Sequence, residues 1–192
     1  MKPTASQPRR RSGVRTGAAA LAAMALVLLA GCTTVAINPN DGSAPNVTIK
    51  VQGPNGYQVA TSTNYANSSA QEPVNIMCIV EDPQGVKSIN LHVSDVTVDA
   101  VNCGGAIYSG NYSVNGLPAP ISDTLSGASG KVPTKLSGIM QISGILEAQK
   151  PLGVTKKCYP ANNTHITVRC QGGNWASNAA VATASTTLQV NF

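Results

Sequence analysis

The fold class this sequence predicts is all-β, and three observations carry it. After residue 32, Val, Thr, Ser, Asn and Gly are abundant and long charged side chains are scarce, a mix that suits strands and turns. Apolar residues recur at every second position in several stretches, whereas no apolar stripe of helical period runs for three turns. Clusters of Gly, Pro, Asn and Asp punctuate those stretches where the chain must reverse. About 160 residues follow position 32, enough for one hydrophobic core and too few for two comfortable domains.

The first 31 residues stand apart. Lys2, Arg9, Arg10, Arg11 and Arg15 open the chain with no acid among them. Gly17 to Leu29 is then almost wholly Ala, Leu, Val and Met. This apolar run suits a signal core and falls short of the roughly 20 residues a spanning helix needs. Leu29-Ala30-Gly31-Cys32 closes the segment, with small residues before the cysteine. Together these zones resemble a bacterial lipoprotein signal with its lipobox. The resemblance implies cleavage before Cys32, a thioether-linked diacylglycerol on Cys32, and a membrane anchor through its acyl chains. An ordinary secretory signal is the plainer alternative. Arg9-Arg10-Arg11 invites a twin-arginine reading, but Ser12-Gly13 stand where that signal continues with apolar residues. The expected organisation is a signal peptide at 1–31, a lipidated cysteine and tether at 32–45, and one domain at 46–192. The anchored face is extracytoplasmic. Thr33 replaces the Asp that retains enteric lipoproteins in the inner membrane, which favours an outer membrane where the cell has one.

The formal charge of +5 belongs to the leader. Five of the 13 basic residues precede Cys32 and all eight acids follow it, so the exported part is balanced. No basic stripe is left to neutralise a phosphate backbone, which argues against a nucleic-acid partner.

Taken in order, Thr33 to Pro45 reads as a short polar tether. Val47, Ile49 and Val51 alternate with polar residues as a first strand, and Gly53-Pro54-Asn55-Gly56 turns the chain into a short second one at Tyr57 and Val59. Thr61 to Gln71 reads as a polar loop. Val74, Ile76, Cys78 and Val80 share a strand face; Asp82-Pro83-Gln84-Gly85 is a turn; Ile89, Leu91 and Val93 face inward on the next strand, with Ser88, Asn90 and His92 outward. Val96, Val98 and Val101 continue out of phase, which predicts a bulge or turn near Ser94-Asp95. Residues 104–137 are rich in Gly, Ser and Pro and read as a loop-rich insertion. Gly138 to Ala148 reads as a strand kinked at Gly144, with Met140, Ile142 and Leu146 on one face. Ile166, Val168 and Cys170 face inward on a later strand, and a last strand carries Leu188, Val190 and Phe192.

Three stretches resemble bacterial immunoglobulin-like domains: Val74 to Asp82, the turn into Gly85-Val86-Lys87-Ser88-Ile89, and Ile166 to Cys170 followed by Gly172-Gly173-Asn174-Trp175-Ala176 and a terminal strand. They span about half of the exported chain. The resemblance implies an immunoglobulin-like β-sandwich with a loop-rich insertion. The 104–137 segment departs from it, as does the absence of a Trp on the strand after Cys78, so an antibody-type domain is not expected.

Four cysteines remain after Cys32, and an exported protein meets an oxidising space, so two disulfides are expected among Cys78, Cys103, Cys158 and Cys170. In an immunoglobulin-like sandwich the strands of Cys78 and Cys170 lie in opposite sheets. The resemblance therefore implies Cys78–Cys170, leaving Cys103–Cys158. The nearest-neighbour scheme, Cys78–Cys103 with Cys158–Cys170, stays open. No Cys-x-x-Cys pair supports a metal site, and no cofactor is expected.

Catalytic constellations are hard to assemble. No Gly-x-Ser-x-Gly elbow occurs, His92 and His165 read as solvated strand residues, and Glu81 and Asp82 point to opposite sides of a strand. Those two acids fall short of the oxygens a calcium ion wants. Trp175, the only Trp, sits in the segment from Gly172 to Asn178, which reads as a flexible tip with an exposed indole. Trp175 and Asn174, with Glu81 and Asp82 at the same end, form the expected binding loop; the alternative is an indole folded back over the core. The function expected is a lipid-anchored envelope module that binds a protein or glycan or plays a structural part. An envelope enzyme or enzyme inhibitor is the alternative, followed by a small outer-membrane barrel, prompted by the terminal Phe192.

Overall fold

The computed structural model describes residues 26–27, 33–40, 42–53, 56–60, 64–66, 73–115, 117–126, 130–142, 146–161, 163–175 and 180–191. The expectations at Cys32, Gly144 and Phe192 fall outside these residues. In chain order the strands are β1 (Leu26–Val27), β2 (Thr34–Ala36), β3 (Asn46–Gly53), β4 (Gly56–Val59), β5 (Asn64–Ala66), β6 (Val74–Glu81) and β7 (Val86–Cys103). Then follow β8 (Ala106–Ser113), β9 (Ile121–Thr124), β10 (Lys131–Pro133), β11 (Lys135–Ile142), β12 (Tyr159–Pro160), β13 (Asn163–Asn174) and β14 (Val181–Asn191).

Two sheets pack face to face. One runs β1-β11-β6-β3-β4; the other runs β12-β7-β13-β14-β5, with β8 and β9 also on β7. Pairing is antiparallel throughout except where β14 meets β5. The core follows from the period-2 pattern. Val74, Ile76, Cys78 and Val80 of β6 face Ile89, Leu91 and Val93 of β7 and Ile166, Val168 and Cys170 of β13, all of them buried. Every core side chain among the described residues lies between Ile49 and Val190.

Cys78, on the strand between β11 and β3, bonds Cys170, on the strand between β7 and β14. Central strands of two sheets joined by a disulfide, with β3-β6-β11 opposite β7-β13-β14, make an immunoglobulin-like sandwich. Cys103 bonds Cys158, so the nearest-neighbour scheme does not occur. Among the described residues the two sheets do not close on each other as a barrel would.

The bulge expected near Ser94-Asp95 is present. Val168 lies opposite Val93 and Thr167 opposite Asp95, leaving Ser94 as the extra residue. That insertion lets Val93 and Val96 both point inward.

Four expectations need correction. Residues 104–137 are not simply loop: they hold β8, β9 and β10 and the start of β11. β8 is exposed along nearly its whole length, so its sequence carries no alternation to read; pairing with β7 makes it a strand. β11 starts at Lys135 and ends at Ile142, although its inward Met140 and Ile142 agree with the pattern. The segment after Cys32 is not a free tether, because Thr34–Ala36 pairs with Lys131–Pro133. Residues Asn64–Ala66, expected in a loop, pair with the end of β14.

Candidate functional site

The residues expected to form a binding loop do converge at one end of the sandwich, around the turn between β6 and β7. Asp82 shapes that turn. Its Oδ1 accepts from the Gln84 amide at 2.8 Å, its carbonyl accepts from the Gly85 amide at 3.0 Å, and its own amide donates to the Thr134 carbonyl at 2.9 Å. Gly85 then takes a positive φ of 110°, and a Cβ there would stand 2.3 Å from Cγ2 of Val132.

Trp175 lies on this turn. Its Nε1–H donates to the Val86 carbonyl at 2.9 Å, and the Lys87 ammonium stands 5.5 Å from the ring centroid. The indole is partly buried, not the exposed tip expected. The physical reason is that β13 extends through Asn174, so Gly172 and Gly173 are buried strand residues and not loop. Gly172 is there for close packing: a Cβ on it would lie 2.3 Å from Cγ1 of Val80 in the facing sheet. Residues 176–179 lie outside the described ones.

Of the four expected contact residues, two are turned inward. Asn174 is buried and its Nδ2 donates to the Ser43 carbonyl at 2.7 Å. Asp82 is buried, with Oδ2 lacking a hydrogen-bond partner. Glu81 is half-exposed and pairs with Lys135 at 2.8 Å. Surface therefore remains on Glu81 and Trp175, while Asp82 and Asn174 hold the backbone beneath them.

The chain leaving Cys32 enters at this same end. Thr33 Oγ1 lies 2.6 Å from Thr134 Oγ1, and the Thr134 amide donates to the Thr33 carbonyl at 3.0 Å. An open cleft of about 510 Å³ is lined here by Thr33, Val35, Glu81, Asp82, Thr134 and Lys135.

Elsewhere, His165 is not merely solvated: its Nε2 stands 3.1 Å from Asp99 Oδ2 on the outer face of the second sheet. His92 borders a shallow groove with Asn90, Pro120, Arg169 and Gln171. Among the described residues no group of three or more His, Cys, Asp or Glu side chains is placed to hold a metal ion.

No family model matches the chain, and no curated protein matches it either. Two solved structures are similar. The first is AggA, the major subunit of aggregative adherence fimbriae type I from Escherichia coli, at 11% identity and a TM-score of 0.40, covering 80% of this chain and 99% of that one. The second is the CooA pilin subunit from enterotoxigenic Escherichia coli, at 12% identity and a TM-score of 0.32, covering 75% and 97%. At these scores neither likeness carries an argument about what this chain does.

Proposed function

We propose that this protein is a lipid-anchored module of the bacterial cell envelope that works by contact and not by catalysis. The observation that supports this reading best is the join between leader and domain. Thr33, the first residue after the lipobox cysteine, is hydrogen-bonded to Thr134 at the end of the sandwich. An anchor at Cys32 would thus be fastened directly to a rigid, twice disulfide-bonded body, with little slack between lipid and fold. The surface nearest that anchor carries Glu81, Lys135, Lys87 and the edge of Trp175.

Metabolic labelling with a fatty acid in a bacterial host tests the anchor. The wild type should take up label and lose residues 1–31, whereas Cys32→Ser should accumulate as an unlabelled precursor. Equal labelling of both, or cleavage of the mutant at the same bond, would refute it.

A further inference from the structure

We infer that the end of the sandwich farthest from Thr33 docks on an anionic phospholipid surface, through Leu152 and the lysines that flank it. β7 starts beside the Trp175 turn and runs 18 residues to Cys103, which places Cys103 and its disulfide partner Cys158 at the opposite pole. The bond fastens the β7–β8 hairpin to the end of the 149–157 loop.

That loop is held firmly. The Val154 amide donates to the Pro151 carbonyl at 3.1 Å, and Gly153 takes a φ of 82°, the geometry of a tight turn with Leu152 at its corner. Lys150 Nζ donates across the loop to the Thr155 carbonyl at 3.4 Å. The Lys156 stem lies along the hairpin, since a Cβ on Gly104 would stand 2.5 Å from its Cδ. Lys157 pairs with Glu147 at 3.1 Å.

The surface this creates is apolar at its tip and basic around it. Leu152 is fully exposed at the turn corner. Ile107, 65% exposed, and Tyr159, 40% exposed, lie opposite Asn102 on its two sides, and so project on one face of the sheet. With Tyr108, these are four of the seven large apolar side chains exposed among the described residues, and all four sit at this pole. Within residues 146–159, Lys150, Lys156 and Lys157 are set against one acid, Glu147.

The shape selects the partner. Protein interfaces are depleted of lysine and of charge at their cores, unlike this pole. A single leucine on a convex turn, ringed by long cationic stems, suits a deformable medium that is apolar within and anionic at its surface. The leucine enters the acyl boundary, tyrosines stand at the headgroups, and the lysines reach the phosphates. The docking needs no anchor; if Cys32 is lipidated as proposed above, contacts at both ends of β7 lay the sandwich along the bilayer.

Sedimentation with vesicles of the chain beginning at Thr33, once a cooperative melting transition and both disulfides show that it folds, tests this separately from lipidation. It should bind vesicles of equal parts phosphatidylglycerol and phosphatidylcholine, bind pure phosphatidylcholine weakly, and be released by high salt. Leu152→Asp should weaken binding roughly tenfold or more with an unchanged melting temperature. Lys150→Gln with Lys156→Gln should weaken it by a similar factor. Failure to bind anionic vesicles, equal binding to both kinds, or binding indifferent to these substitutions would overturn the inference. So would capture of soluble polyglutamate, dependent on the same residues, by a domain that ignores vesicles, since that would mark an acidic protein surface.

Discussion

Trp175 and Val86 are joined by a 2.9 Å hydrogen bond from the indole Nε1–H to the backbone carbonyl, across 89 positions of sequence. The bond ties the end of β13 to the start of β7 and lays the ring against Gly85, with Cδ1 3.5 Å from where a Cβ would stand. Trp175 is thus a brace for the turn as well as a surface residue. Trp175→Ala should lower stability by about 2–3 kcal/mol, below the loss for a fully buried Trp because the ring is partly exposed. The emission of this lone indole should be blue-shifted and only partly quenched by acrylamide. A red, freely quenched emission together with an unchanged melting temperature in Trp175→Ala would mean the brace is absent in solution.

Gly172 packs against Val80 of the facing sheet with no room for a Cβ. Gly172→Ala should cost about 1–3 kcal/mol by overpacking. Adding Val80→Ala should recover part of that loss, so the pair should show a non-additive coupling in a double-mutant cycle. Additive losses would place the strain elsewhere.

Both disulfides close long loops, with separations of 92 and 55 residues. Alkylation without reductant should modify none of the four cysteines, and peptide mapping should recover Cys78 with Cys170 and Cys103 with Cys158. Replacing Cys78 and Cys170 by Ala should cost about 2–5 kcal/mol. Detection of a Cys78–Cys103 peptide would contradict the fold described.

Alkaline pH should destabilise the domain. Desolvation holds the Tyr57 hydroxyl above its ordinary value of 10.0, and the hydrogen bond and charge of Glu147 hold the Lys157 ammonium above 10.5. For both groups the folded state keeps its proton longer than the unfolded state. Their contributions are therefore complete below the unfolded values and lost as pH rises through the folded ones. Melting temperature should fall as pH climbs past about 10, and Tyr57→Phe should flatten that fall. A flat profile in the wild type would contradict these directions.

The sequence by itself determined which side of each long strand faces inward. Alternation along β6, β7 and β13 is a property of the extended backbone, where successive side chains point to opposite faces, and every inward residue read from it is buried. The extra residue at Ser94 was legible for the same reason, because a bulge shifts that period. Strand partners were not legible. That Cys78 meets Cys170 is set by how two sheets lie across each other, and the residues alone left a second scheme open. β8 has no buried face to betray it, and Thr34–Ala36 is a strand because β10 happens to be its neighbour. Gly172, Gly173 and Asn174 looked like a flexible tip because small residues serve both turns and close packing, and the facing Val80 decides between them. The lysines at 150, 156 and 157 and the Pro151-Leu152-Gly153 turn were not singled out by the sequence pattern. Their meaning came from the tertiary structure, which carries them to the pole opposite Thr33 and leaves Leu152 with nothing to cover it.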